Sequence, residues 1–309
     1  MNAKHTNPWM TSLCMASVYI FWGGTYLGMK FAVEQIPPFL MAAARFLIAG
    51  MLLYAIARIT GVKRPTSREW LGTAPIGILL LVCGNGGIAW AEQYVPSGLA
   101  ALLVATLPFW ITLFNWLIWK GARPNFFVVA GLLLGFGGIG VMVMYGQGIG
   151  QTRQDGKGIL GIVVCLVAAM CWAFGSSWSR YTAKPSSPLM TSAVQMLSGG
   201  VVLAVMSGIS GDLNGFHLME ITSRTLLSLG YLIFFGSIIA YNAYVWLLHN
   251  ANLAMVSTYT YVNPIVAVFL GWAVAGEALD PILFVSAAMI LPAVILISSL
   301  KDWKPRNSA

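Results

Sequence analysis

Apolar runs of about 18 to 23 residues recur ten times along this chain, joined by short connections. A helix rises about 1.5 Å per residue, so each run is long enough to cross a hydrocarbon core of about 30 Å. The spans read from the sequence are approximately 9–31, 39–57, 70–91, 98–119, 126–145, 158–179, 189–210, 225–248, 253–275 and 281–300. None of the connections leaves room for a soluble domain, so the working groups of the protein have to lie within the membrane. Composition agrees, with 58% hydrophobic and 8% charged residues, against about 25% charged in soluble domains.

The first span is expected to stay as a membrane helix and not to be cleaved as a signal peptide. It carries Trp9, Tyr19, Trp22 and Tyr26 and has no small-x-small site near its end. Cys14, Cys83, Cys165 and Cys171 all fall inside apolar spans without metal-type spacing, which reads as helix packing by small apolar side chains. His5, His217 and His249 are isolated at loops or termini, so no metal centre is expected. Trp9, Trp70, Trp119 and Trp303 fall near span ends, as an interfacial aromatic belt requires.

The formal charge of +8 is explained by its distribution and needs no nucleic-acid partner. If the N-terminus is cytoplasmic, the even loops and both termini hold Lys4, Arg58, Lys63, Arg64, Arg68, Lys120, Arg123, Arg180, Lys184, Lys301, Lys304 and Arg306. The odd loops hold Lys30, Arg153, Lys157 and Arg224 with most of the acids. This is the positive-inside asymmetry, and it predicts that both termini are cytoplasmic.

The chain also repeats itself. At an offset of about 150 residues Trp22 meets Trp172, Pro38 meets Pro188 and Gly50 meets Gly200; with small gaps, Gly84 meets Gly236 and Pro108 meets Pro264. Residues 1–150 and 151–309 then form two units of five spans. An odd number makes the second unit enter the membrane from the opposite side, so the repeat is inverted. The fold class expected is an all-α integral membrane protein with ten transmembrane helices. Pro108 and Pro264 sit inside spans four and nine, where a missing amide donor and a clash with the carbonyl four residues back should kink or open the helix. Interrupted helices at matching places in two halves point to a transporter site near the midplane.

The segments Trp22-Gly-Gly-Thr-Tyr26, Ala44-Arg-Phe-Leu-Ile-Ala-Gly50, the stretch 254–264 and Gly276-Glu277 resemble the EamA-type transporters of the drug/metabolite transporter superfamily. The resemblance covers nearly the whole chain as two five-helix units. It implies ten helices, cytoplasmic termini and a central cavity lined mainly by helices one, three, four, six, eight and nine, and it includes exporters of amino acids and other metabolites. One departure is Gln195 where the repeat-related position holds Arg45.

Arg45 lies about 9 Å into the second span by helical rise, where a charge costs about 2.5 kcal/mol or more unless it is paired or faces a wet cavity. It is either a counter-ion for a substrate carboxylate or a structural arginine that snorkels outward or holds a helix end through backbone carbonyls. The other substrate-site candidates are Trp22, Asn85, Trp110, Trp172, Gln195, Tyr241, Asn242, Tyr259 and Asn263. Each amide alone suits interhelical bonding; together with aromatic walls they make a small-molecule site. Glu34, Glu92 and Glu277 fall toward span ends, so no proton relay is placed at the midplane. Gly135-Phe-Gly-Gly-Ile-Gly140 mimics a dinucleotide string but lies inside an apolar span with no preceding strand. No GxxxxGK[ST] loop occurs, which argues against direct ATP drive.

These features predict a secondary transporter of the cell membrane that exports small metabolites by alternating access, with amino acids as the leading substrate class. A multidrug or nucleobase-type exporter is the alternative within transport. An intramembrane enzyme is disfavoured because no paired carboxylates, His cluster or Ser-His arrangement occurs at membrane depth. A passive channel would need a ring of like polar residues from several chains. No cofactor is called for, and the partners expected are a small-molecule substrate and the lipid bilayer.

Overall fold

The computed structural model describes residues 8–119, 126–145, 156–214, 216–217, 220–251, 253–276 and 281–298. Lys4, His5, Lys120, Arg123, Arg153, Glu277, Lys301, Trp303, Lys304 and Arg306, used above, lie outside the described residues. In chain order the helical segments are α1 (Pro8–Val33), α2 (Pro38–Ile59), α3 (Ser67–Ala91), α4 (Ser97–Leu117), α5 (Phe126–Tyr145), α6 (Lys157–Trp178), α7 (Pro188–Ser210), α8 (Ser223–Asn250), α9 (Tyr259–Ala275) and α10 (Pro281–Ser298). No strand occurs among the described residues. Six segments, α2, α3, α4, α6, α7 and α8, are long and apolar enough to cross a membrane; Val262–Ala275 and Phe284–Ala293 are shorter apolar helices.

Local chemistry sets the helix ends. Pro38 and Pro188 open α2 and α7 at the first helical position, where a missing amide hydrogen costs nothing. Thr66 and Glu69 start α3 as a reciprocal capping box: the Thr66 hydroxyl accepts from the Glu69 amide at 3.3 Å while the Glu69 carboxylate accepts from the Thr66 amide at 2.7 Å. Gly211, at φ 76°, closes α7 in the left-handed conformation that side chains resist.

Three helices depart from regular α geometry. In α3 and α8 the stretches Ile78–Gly86 and Leu232–Tyr241 are wide π turns, and the sequence offset that matches Gly84 to Gly236 falls within them. In α4 the helix stops at Val104 and resumes at Leu107, so Pro108 stands in the first turn of the second piece. The Thr106 hydroxyl donates to the Leu103 carbonyl at 2.7 Å across that joint.

The opening expected at Pro264 lies elsewhere. A single turn at Leu253–Val256 is followed by Ser257 and Thr258, and α9 then runs unbroken through Pro264. The reason is the proline's place: the carbonyl it would clash with belongs to Thr260, in the first turn of a helix whose preceding turn is already broken. The clash therefore falls on a helix start that has no continuous α turn before it to distort.

The largest packed interfaces are α2 with α7 and α5 with α10; α1 packs on α8 and α9, α6 packs on α3 and α4, and α4 packs on α9. The α2–α7 crossing is close because of two glycines. A Cβ on Gly50 would sit 3.0 Å from the Leu197 amide nitrogen, and one on Gly200 would sit 3.1 Å from that of Leu47. On the far sides of the same two helices Met51, Leu52, Ile56 and Ile59, and Val201, Val205 and Ile209, are exposed. In water such a surface would be an aggregation hazard; against lipid it is the expected coat. The chain is therefore a multi-pass membrane protein whose polar groups collect between the helices.

Candidate functional site

Between α1, α3, α4, α6 and α9 lies a cavity of about 40 Å³, lined by Trp22, Thr25, Tyr26, Met29, Asn85, Ile88, Val104, Trp172, Tyr259 and Asn263. Five of the predicted site residues meet there: Trp22, Asn85, Trp172, Tyr259 and Asn263. Thr25 and Met29 were not singled out from the sequence, although they follow Trp22 at i+3 and i+7 and so share its face. Ile88, one turn beyond Asn85, and Val104, at the α4 joint, were also missed. The volume admits a few water molecules, well short of the ~300–1,000 Å³ of small-molecule sites.

An aromatic cluster forms one end of the cavity. The Trp22 ring lies 5.4 Å from Trp172, 5.0 Å from Tyr244, 5.1 Å from Tyr259 and 6.5 Å from Tyr241, with the Trp172 and Tyr259 contacts edge to face. Such pairs contribute about 0.5–1.5 kcal/mol each beyond burial. The indole N–H groups are fixed: Trp22 Nε1 donates to the Gly236 carbonyl at 3.0 Å, and Trp172 Nε1 donates to the Tyr244 hydroxyl at 3.0 Å. Ser176 Oγ lies 2.7 Å from the same Tyr244 hydroxyl. With their donors engaged, the two indoles offer rings and not hydrogen bonds to the cavity.

The charge sits behind the wall. Arg45 is 1% exposed; its Nε donates to Ser237 Oγ at 2.7 Å and its Nη1 donates to Asn85 Oδ1 at 3.1 Å. Both acceptors are neutral side-chain oxygens, so the structural role weighed for Arg45 takes a different form: it is tied to side chains of α3 and α8, not to backbone carbonyls. The guanidinium fits because Gly236 has no side chain; a Cβ there would lie 2.9 Å from Arg45 Nη2 and 3.0 Å from Thr25 Cγ2. Opposite, the Asn263 carboxamide oxygen is buried and has no hydrogen-bond partner, which leaves one bare acceptor on the α9 side. Glu92 follows the end of α3, as its sequence position requires, but is only 5% exposed and within electrostatic reach of Arg45 and Tyr26.

The remaining predicted residues stand apart. Tyr241 donates its hydroxyl to Gln195 Oε1 at 2.9 Å, and Asn242 Oδ1 accepts from Ser192 Oγ at 3.0 Å. Trp110 donates to Thr106 Oγ1 at 3.2 Å and packs on Phe109 and Phe114, away from the cavity lining. Gln195 instead lines a second hollow of about 10 Å³ with Thr73, Ser179, Lys184 and His249, nearer the end of the bundle where α1 begins. There the Lys184 ammonium donates to the Ser179 carbonyl at 2.7 Å; burial, then the neighbouring Arg180 charge, lower its pKa. The aromatic cluster touches both hollows: Trp22, Trp172 and Tyr259 line the first, and Tyr241 bonds Gln195 of the second.

Comparison with known proteins places this arrangement. The model of the EamA-like transporter family matches residues 9–144 and again 159–299. The chain is 39% identical over 284 residues to YedA, an uncharacterized inner membrane transporter of Escherichia coli (strain K12), covering 91% of this chain and 88% of that protein. It is 27% identical to a WAT1-related chloroplastic protein of Arabidopsis thaliana, over 92% of this chain and 68% of that one, and 26% identical to the uncharacterized transporter YvbV of Bacillus subtilis (strain 168), over 94% and 92%. A crystal structure matches with a TM-score of 0.66 at 20% identity, covering 93% of this chain and 96% of the other; that likeness shows the fold alone.

Proposed function

The chain belongs to the EamA-like transporter family, a membrane transporter and not an enzyme, and on that premise we propose that it exports small metabolites, amino acids foremost, by alternating access. The observation that carries the substrate class is Arg45. A guanidinium removed from water behind the lining, hydrogen bonded to the lining residue Asn85 and to the Ser237 hydroxyl, would gain from a ligand carboxylate brought to that side, which accepts charge-assisted bonds of about 1.5–3 kcal/mol each. The bare Asn263 oxygen across the cavity suits the ammonium of the same molecule, and the rings of Trp22, Trp172 and Tyr259 suit its side chain.

In this reading all ten helical segments cross the bilayer, both termini are cytoplasmic, and residues 1–150 and 151–309 are inverted repeats. Paired contacts support the repeat. Gly50 abuts Leu197 as Gly200 abuts Leu47; Trp22 bonds the Gly236 carbonyl while Trp172 packs on Gly84. An axis that exchanges the halves turns one member of each pair into the other. The two hollows, both touching the aromatic cluster, are then the two faces of one pathway: parting the rings toward the cytoplasm admits substrate, and parting the opposite ends of α1, α3, α4 and α9 releases it.

Proteoliposomes loaded with labelled amino acids, nucleobases and organic cations test the proposal. Selective, saturable release of amino acids, accelerated by unlabelled amino acid outside, is the expected result. Release of cations or nucleobases alone overturns the substrate class and the role given to Arg45.

A further inference from the structure

Cys14 and Cys165 are buried in the two core clusters, whereas Cys83 and Cys171 are half-buried. Cys83 lies in the wide-turn stretch of α3 and Cys171 in α6, two closely packed helices, and their thiols stand within interacting reach of each other across that interface. Small residues hold the two helices together on either side of the pair. A Cβ on Gly84 would lie 2.8 Å from Trp172 Cε3, and one on Gly175 would lie 3.2 Å from Leu79 Cβ. A disulfide needs Cα atoms about 4.4–6.8 Å apart, a separation that only such closely packed helices offer.

We infer that Cys83 and Cys171 form an oxidative modification site, at which a two-electron oxidant of the peroxide class joins α3 to α6 through a disulfide. In the first step the thiolate of one cysteine attacks a peroxide oxygen, the O–O bond breaks, and a sulfenic acid and water form. In the second, the other thiol attacks the sulfenic sulfur; the S–O bond breaks, the S–S bond forms, and water leaves with the thiol proton. Two thiols have then given two electrons and two protons to one peroxide.

The bond would join the two halves of the chain beside the cavity. Cys83 stands two residues before Asn85 and Cys171 immediately before Trp172. If substrate passes by rocking of one half against the other, the bridge holds them in the conformation in which it formed. This last step rests on the transport reading above; formation of the bond does not.

The test uses the full chain in lipid nanodiscs and in proteoliposomes, treated with hydrogen peroxide and then with dithiothreitol. Alkylatable thiols in the denatured chain should fall from four to two, with peptide mapping joining Cys83 to Cys171; amino acid efflux should stop and return on reduction. Cys83→Ser and Cys171→Ser should each transport normally and keep efflux after peroxide. A thiol count that stays at four in well-folded protein, a bridge that maps to Cys14 or Cys165, or a Cys83–Cys171 bridge that leaves efflux unchanged each overturns the inference. If untreated protein moves none of the compounds, the transport reading fails, while thiol counting and mapping still decide the bridge.

Discussion

Replacing Gly236 by alanine changes no functional group and yet should disable the Arg45 wall. The added methyl would stand 2.9 Å from Arg45 Nη2 and 3.0 Å from Thr25 Cγ2, closer than ordinary contacts by about half an ångström. The guanidinium has to retreat, and its bond to Asn85 is already 3.1 Å long; retreat breaks it. A charged donor left unsatisfied in the interior costs about 1.5–3 kcal/mol, a factor of about 10 to 150 in the folded-to-unfolded ratio. Gly230, on the same helix, meets nothing within 4 Å, so Gly230→Ala is the control for any general effect of alanine in α8. Denaturant unfolding in detergent and amino acid efflux from proteoliposomes are measured for both variants. Gly236→Ala should lose the stated stability and most of its efflux, while Gly230→Ala tracks wild type. Equal behaviour of the two variants would refute the placement of Arg45 against α8 and the site built on it.

Asn263→Ala should insert and fold normally but lose amino acid efflux, because it removes the bare acceptor and little packing; wild-type rates would count against binding there. Gly50→Ala and Gly200→Ala push on the Leu197 and Leu47 backbones at nearly equal distances, so both should destabilise, by about 1–3 kcal/mol in chemical unfolding, and by similar amounts if the crossing lies on a two-fold axis. Lys184 has its pKa lowered by burial and Arg180, so the unfolded chain binds its proton more readily. Stability should therefore rise with pH from the lowered value toward about 10.4, the ordinary lysine value. That increment, read as melting temperature against pH, should be missing in Lys184→Gln.

Length and hydropathy made the helices legible, since a run that must satisfy its own backbone in lipid has little choice but helix. The offset near 150 residues paired Trp22 with Trp172, and the fold brings those rings to 5.4 Å. The Arg45–Ser237 bond was not legible: it joins residues 192 positions apart, and no periodicity links a guanidinium in one half to a hydroxyl in the other. Thr25 and Met29 were readable in principle from their spacing to Trp22, but a helix apolar all round hides which face is inward. The place where α9 is interrupted was not legible either: a proline's effect on a helix depends on whether the turn before it is intact, and the break at Ser257 and Thr258 carries no proline of its own.

The wide turns of α3 and α8 bear on how such a chain tolerates change. A π turn spends more residues per revolution than the 3.6 of an α turn, so it sets the rotational phase of everything beyond it. Deleting one residue within Ile78–Gly86 would let α3 close to plain α geometry without losing a backbone bond. Ile88 and the rest of the helix would then keep close to their present phase, because the extra residue that the wide turn accommodates is the one removed, whereas a residue taken from a regular α stretch swings everything beyond it by about 100°. The two wide-turn stretches are therefore where α3 and α8 can lose a residue and still present the same faces to the pathway, while in the regular stretches between them and the cavity length is held tightly.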